Sequence, residues 1–440
     1  MDRETGSPTE RSPSRTDGTT TETATGTETG TGTPYPYTER FDRVVDVRQR
    51  GADPTGNEPI NDVLEANRGN DTLFFFPPGT YLMSDPWVVR EFSNVGVVGR
   101  DATVTIPPGY KNYLFAFGEP DSARGLLFEG VDFDCSARDS GARVLEARID
   151  DGLEVRDVTV RGVQEVDFAA TRFDITSESG RGVVERLRLP DGGVAHSRAV
   201  GCYVGDQSYG ALEFVDCRME SFPNNGLYAS SSKGPLVVRG GYYANNGIAS
   251  VRVGNGGVVR NVRVRCDAGD NGFENMRGIR LRNGASARVE NCTVELIDVT
   301  YSDGAIVVEE WLESATVRDT TVRIDTDGIA ALRVKPPAPT ATTAASRPAL
   351  TCRGVDIVGS AADNAAVSVN SRNGCLFRDV SIQQSGRRRN GIHLEQSTGN
   401  RITNSVIDVP GEAIVLENAT IDTTDTRIGT PRPTSSTDGA

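Results

Sequence analysis

The chain has 440 residues, 37% hydrophobic and 6% aromatic, with 61 acidic against 47 basic side chains and a net charge of −14. That surplus of acid argues against a partner with a phosphate backbone or anionic headgroups, and no run of about 18 apolar residues offers a membrane span. Lysine occurs only at Lys111, Lys233 and Lys335, so arginine carries nearly all the positive charge; this is the surface expected of a protein soluble in strong brine.

Residues 1–40 hold 12 Thr in the first 33 positions, mixed with Gly, Ser, Glu and Pro. Such a stretch cannot bury enough surface to offset chain entropy, so a disordered stalk is expected there. It lacks the charged start and apolar core of a signal peptide. The Thr-rich composition and three sequons, beginning at Asn70, Asn291 and Asn418, suit an exported or cell-surface protein. The ordered domain is expected over 41–427, with 335–349 as an inserted Pro-rich loop and 428–440 as a disordered tail.

After Val45-Asp46-Val47 come Gly51-Ala52-Asp53-Pro54-Thr55-Gly56, a helix-like stretch Pro59–Arg68, and Phe74-Phe75-Phe76-Pro77-Pro78-Gly79-Thr80-Tyr81. Ile60, Val63 and Leu64 share one face of that short helix.

Farther along, a small residue followed by period-two alternation recurs. It runs Gly226-Leu227-Tyr228, Gly247-Ile248-Ala249, Gly278-Ile279-Arg280, Ala305-Ile306-Val307, Gly328-Ile329-Ala330, Ala366-Val367-Ser368, Gly391-Ile392-His393 and Ala413-Ile414-Val415. Between these segments an Asn, Asp or Gly recurs at a fixed slot: Asp157, Asp216, Gly240, Asn261, Asn291, Asp319, Gly354, Asp379 and Asn404. Weaker copies fall at Asn94, Gly130 and Arg186. These residue types tolerate left-handed backbone, so each marks a bend between two strands. Short strands, repeated bends and aliphatic columns stacked by turn predict an all-β chain, a single-stranded parallel β-helix of about twelve coils with a short N-terminal capping helix.

The seven cysteines form no C-x-x-C pair and only His196 and His393 are available, so a zinc cage is not expected and the thiols read as small core residues.

The cap sequence, above all Phe76-Pro77-Pro78-Gly79-Thr80-Tyr81, resembles the N-terminal cap of the pectate-lyase-like superfamily of right-handed parallel β-helices, over roughly residues 44–425. That superfamily includes polygalacturonase-type glycosidases, lyases, epimerases and non-catalytic spikes. The resemblance implies a right-handed coil and leaves the reaction open.

Two constellations follow from it. Polygalacturonases carry N-T-D-G, then G-D-D, then G-H-G, then R-I-K. Asp325-Thr326-Asp327-Gly328 resembles the first, Asp363-Asn364 stands where the second is expected, and His393 comes three places late. No R-I-K follows. An acid and a base carboxylate about 6.5–9.5 Å apart are needed for inverting hydrolysis, and Asp325 or Asp327 with Asp363 are the candidates; aspartates at turns are their plain alternative. The second constellation sets Arg280 and Arg282 opposite Glu309 and Glu310, beside Trp311. Lyases of this fold draw a proton from beside a uronate carboxylate with a basic Arg or Lys, so this group is their counterpart. A solvated ion-pair ladder is the alternative.

His393 with Glu395 and Glu417, and Phe222, Tyr228 and Tyr242 as stacking aromatics, complete the candidates; Tyr243 reads as core. The expectation is a carbohydrate-active protein that cleaves or modifies an acidic, uronate-containing polysaccharide, lyase ahead of hydrolase. A glycan-binding or spacer module is the rival. No cofactor is called for, Ca2+ is the candidate ion with unknown ligands, and both monomers and trimers use such coils.

Overall fold

The computed structural model describes residues 35–339 and 347–429. Of the stalk expected to be disordered over 1–40 and the tail expected so over 428–440, residues 1–34 and 430–440, with the middle of the Pro-rich loop, lie outside the described residues. Among them the chain is a parallel β-helix of about 13 turns. Every strand pairing is parallel, and one short helix, Asn61–Ala66, is the only α-helix among the described residues.

Each turn lays down three short strands on three sheets. On the first sheet the strand partners align Phe115, Leu145, Thr171, Cys202, Leu227, Val251, Ile279, Ile306, Leu332, Val367, Ile392 and Ile414 into one inward column. The second sheet stacks Val184, Phe214, Val238, Val259, Val289, Val317, Cys352, Phe377 and Ile402. The third stacks Leu189, Met219, Tyr243, Val264, Val294, Val322, Ile357, Ile382 and Ile407. Nearly all these side chains belong to a single continuous core. All seven cysteines are buried and free, and desolvation raises their thiols above the usual range. Ile279 sits at the middle of its column, fully buried. Ile279→Ala should therefore cost about 2–5 kcal/mol, read as a lower midpoint in denaturant titration.

The bend slot is real. Gly130, Asp157, Arg186, Asp216, Gly240, Asn261, Asn291, Asp319, Gly354, Asp379 and Asn404 all have φ between 48° and 67°. Asn and Asp here link successive turns: Asn291 Nδ2 donates to Asn261 Oδ1 at 2.8 Å. Arg186 is tolerated because its guanidinium forks onto Asp157 of the preceding turn at 2.6 and 2.7 Å. At Gly240 the Asp216 carboxylate of the preceding turn occupies the space a Cβ would take. Asn94 belongs to a different bend, stacked beneath Gly125 and Gly152; the slot partner of Gly130 is Asp101, φ 49°.

Two segments sit three residues out of the expected register. Val251, not Ile248, lies beside Leu227, and Leu332, not Ile329, lies beside Ile306. Gly247 and Gly328 lie in corners before their strands: Gly247 packs against the Pro223 carbonyl and Gly328 takes φ +74°. Alignment on glycine therefore starts those strands too early.

The capping helix is shorter than Pro59–Arg68 and buries Ile60 and Leu64, while Val63 is half-buried. Tyr37 and Arg40 precede the first strand and reach across the second sheet, to Glu129 at 2.8 Å and Glu154 at 2.9 Å.

Candidate functional site

The outward side of the first sheet reads, coil by coil, Glu146, Arg172, Tyr203, Tyr228, Arg252, Arg280, Val307, Arg333, Ser368, His393 and Val415. Neighbours in this row are about 4.8 Å apart, so side chains on successive turns touch. Arg172 lies over the Tyr203 ring at 5.4 Å, Tyr203 meets Tyr228 edge-on at 5.2 Å, and Arg252 lies over Tyr228 at 3.9 Å. One turn on, the Arg282 guanidinium stacks on Trp311 at 3.8 Å.

Beside these rows opens a groove of about 550 Å³ whose lining includes Lys233, Arg252, Asn255, Arg282 and Trp311 and one carboxylate, Asp206, which lies beyond ion-pair distance of both arginines. Trp311 is 40% exposed, unusual for an indole, and presents the ring face not covered by Arg282. Neither Arg252 nor Arg282 has a carboxylate within ion-pair distance among the described residues. Arg252 donates Nε to Ser230 Oγ at 2.8 Å, and Arg282 Nη1 is buried with no hydrogen-bond partner. Burial pushes Arg252 down to about 10, with Arg280 and Arg282 adding repulsion. Burial and Arg280 also lower Arg282, against the weaker pull of Glu309 and Glu310.

Behind the groove lies a buried charge network. Arg280 Nε donates to Glu309 Oε1 at 2.7 Å, Lys335 Nζ lies 2.7 Å from Asp303 and 3.3 Å from Glu309, and Arg277 Nε donates to Asp303 at 3.0 Å. The Glu309 side chain is 3% exposed. Burial alone would raise its carboxyl, but Arg280, Lys335 and Arg277 together hold it below the usual range. Asp303 is held well below its usual value by Lys335 and Arg277 in the same way. The solvated ladder expected here is thus a buried one. Arg372 closes it from beneath, donating to the carbonyls of Lys335, Leu312, Glu309 and Glu310 at 2.8–3.2 Å.

The fold therefore brings Tyr228, Arg280, Arg282, Glu309, Glu310 and Trp311 onto neighbouring turns. The other candidates lie elsewhere. Asp325 accepts from the Ser360 backbone N–H at 3.0 Å and from Arg323, Asp327 accepts from the Ala362 N–H at 2.7 Å, and Asp363 sits at φ 56° paired with Arg388. All three carboxylates are thus engaged at turns between the third and first sheets. His393 lies three turns beyond Val307, 3.3 Å from Glu417 but misaligned for a hydrogen bond, and Glu395 takes the Asn370 amide. Phe222 and Tyr243 are core residues and cannot meet a ligand. Arg252, Arg277, Asp303 and Lys335 went unseen in the sequence; correct register across turns was the missing signal for Arg252. No group of three or more His, Cys, Asp or Glu is placed to hold a metal among the described residues.

No family model and no curated protein matches the chain. Similar solved structures include the A-module of the mannuronan C-5 epimerase AlgE4 of Azotobacter vinelandii, 12% identical over 72% of this chain and 96% of that one, TM-score 0.43. Others are PfbA, a surface adhesin of Streptococcus pneumoniae (12%, 88% and 93%, TM-score 0.45), and the catalytic unit of an α-1,3-glucanase from Streptomyces thermodiastaticus (14%, 92% and 70%, TM-score 0.44).

Proposed function

We propose that this chain acts on an acidic, uronate-containing polysaccharide, which lies along the first sheet and sets its carboxylates against Arg252 and Arg282. One observation carries the reading: two half-buried guanidiniums, stacked on aromatic rings, line an open groove with no carboxylate within ion-pair distance among the described residues, on a chain of net charge −14. A ligand carboxylate would give the groove-facing N–H groups of these arginines charge-assisted hydrogen bonds. Trp311 supplies a flat apolar face for a sugar ring.

Cleavage by β-elimination is the reading favoured over hydrolysis. In that step a base removes the proton beside the uronate carboxylate, the glycosidic C–O bond breaks, and a C=C bond forms while the leaving oxygen takes a proton. In the cleaving pose Arg282 alone holds the carboxylate of the reacting uronate, and Arg252, whose pKa burial pushes down to about 10, acts in its deprotonated form as the base. The aspartates a hydrolase would use are engaged at turns. A polysaccharide partner is also what places the protein outside the cell or on its surface. No helix among the described residues is long and apolar enough to cross a membrane.

The test is incubation with a panel of uronate-containing and neutral glycans, following unsaturated products by ultraviolet absorbance, reducing ends, and heat of binding. Unsaturated products from acidic glycans alone are expected. Binding without any product would mark a non-catalytic module on the same groove, and no preference for acidic over neutral glycans would overturn the proposal.

A further inference from the structure

Past the groove, the outward row of the first sheet carries a second stretch of polar side chains without partners. Arg252, Arg280, Val307, Arg333, Ser368 and His393 are direct strand partners on successive turns. Arg333 is half-buried, yet among the described residues no hydrogen bond or ion pair holds its guanidinium, and none holds the Ser368 hydroxyl. His393 reaches only Glu417, at 3.3 Å and misaligned for a hydrogen bond. Apart from Arg252, the other arginines of this row each have a carboxylate: Arg172 pairs with Asp174 at 2.7 Å and Arg280 with Glu309 at 2.7 Å. Register explains why Arg333 has none. Val307 and Ser368, directly beside it, carry no charge, and Asp303 and Glu309 of the adjoining turn are already held by Arg277, Arg280 and Lys335. Tyr301, in the corner that leads into that adjoining turn, is 56% exposed, with its hydroxyl donating to Asp303 Oδ1 at 2.9 Å. Around His393 the surface becomes acidic, with Glu395 on the same turn and Glu417 on the next.

We propose that Arg333, with the Ser368 hydroxyl beside it, forms a second carboxylate subsite for the polysaccharide that occupies the groove, an inference that rests on the reading of Arg252 and Arg282 given above. Arg333 lies three turns from Arg252 and two from Arg282, about 14 and 10 Å along the axis at about 4.8 Å per turn. A single uronate cannot reach both places, so the ligand is an oligomer that runs along the solenoid and carries carboxylates at both ends of this span. At Arg333 the guanidinium takes a carboxylate in a charge-assisted forked pair, and Ser368 Oγ adds a further donor. Between the subsites the row holds Arg280, neutralised by Glu309, and the buried Val307, so the intervening sugar needs no carboxylate. Tyr301 offers that stretch an apolar ring face. Glu395 and Glu417 repel an anionic chain and end the track at His393. Two linked contacts make the second one intramolecular, so the surface selects for chain length and for spaced carboxylates, which one subsite alone does not do.

Calorimetric titration of the full chain with a length series of oligogalacturonates and oligomannuronates, from the monosaccharide upward, tests this. Affinity is expected to step up by about ten- to a hundredfold once the oligomer spans both subsites. Arg333→Ala removes that step and leaves the affinity for the shortest oligomers as it was, while Arg333→Lys restores only part of it. Long oligomers also lose affinity with salt more steeply than short ones, and Arg333→Ala erases the difference. Melting of the variant is unchanged, because no partner among the described residues is lost. A step that survives Arg333→Ala, long and short oligomers bound alike by the wild type, or an equal step with neutral oligoglucosides of matched length would sink this inference while the groove at Arg252 and Arg282 stands. Short acidic oligomers that bind no better than neutral ones would overturn the groove reading, and this inference with it.

Discussion

Arg282→Ala and Arg252→Ala each lower affinity for an acidic polysaccharide by about ten- to a hundredfold in calorimetric titration. Hydrogen bonds to charged groups contribute about 1.5–3 kcal/mol each, and 1.4 kcal/mol is a factor of ten. Arg282→Lys restores little, since an ammonium neither stacks flat on Trp311 nor forks onto a carboxylate. Stability is nearly unchanged in both alanine variants, because each removes a desolvated cation that no carboxylate neutralises. Binding weakens with added salt. Unaltered affinity in both alanine variants would remove the groove from the proposed function. If β-elimination runs through Arg252, turnover falls in Arg252→Ala beyond the loss of binding, whereas Arg282→Ala loses chiefly binding.

Glu309→Gln produces the largest loss of stability. It removes the anion that Arg280 and Lys335 share while leaving their charges buried, with side-chain exposures of 14% and 22%. Breaking one partner of such a buried network costs about 3–5 kcal/mol, which for a domain of this size lowers the melting temperature by about 4–6 °C. The effect depends on pH. Glu309 and Asp303 both have folded-state pKa values below the usual carboxylate range, so their contribution is fully present above the unfolded values near 4 and is lost as pH falls through the depressed folded ones. The variant should be much less stable than the wild type at neutral pH and approach it in strong acid. Equal melting at neutral pH would show that the network does not bear on stability.

The aliphatic columns were legible because every turn must bury the same face against its neighbours. Leu, Ile and Val therefore recur at one slot, and so do the Asn, Asp and Gly at the bend, where φ turns positive. Arg280, Arg282, Glu309 and Trp311 were legible as a group for the same reason, since strand alternation places them on one outward face of adjoining turns. Arg252 was not. In the sequence corner glycines look like strand starts, and a slip of three residues puts a small side chain where the structure has a guanidinium. Arg277, Asp303 and Lys335 also went unseen, because their contacts join residues 26–32 apart in the chain and depend on how far each corner loop reaches.

Composition and period were enough to dictate a stack of parallel turns with an acidic exterior, since burial of one face per turn leaves few other ways to hide those side chains. Register within each turn, the desolvation of the Glu309 network and the unmatched state of Arg252 and Arg282 came only with the tertiary structure. They depend on corner lengths and on which charges end up within a few ångströms of one another, and neither quantity is written in local sequence.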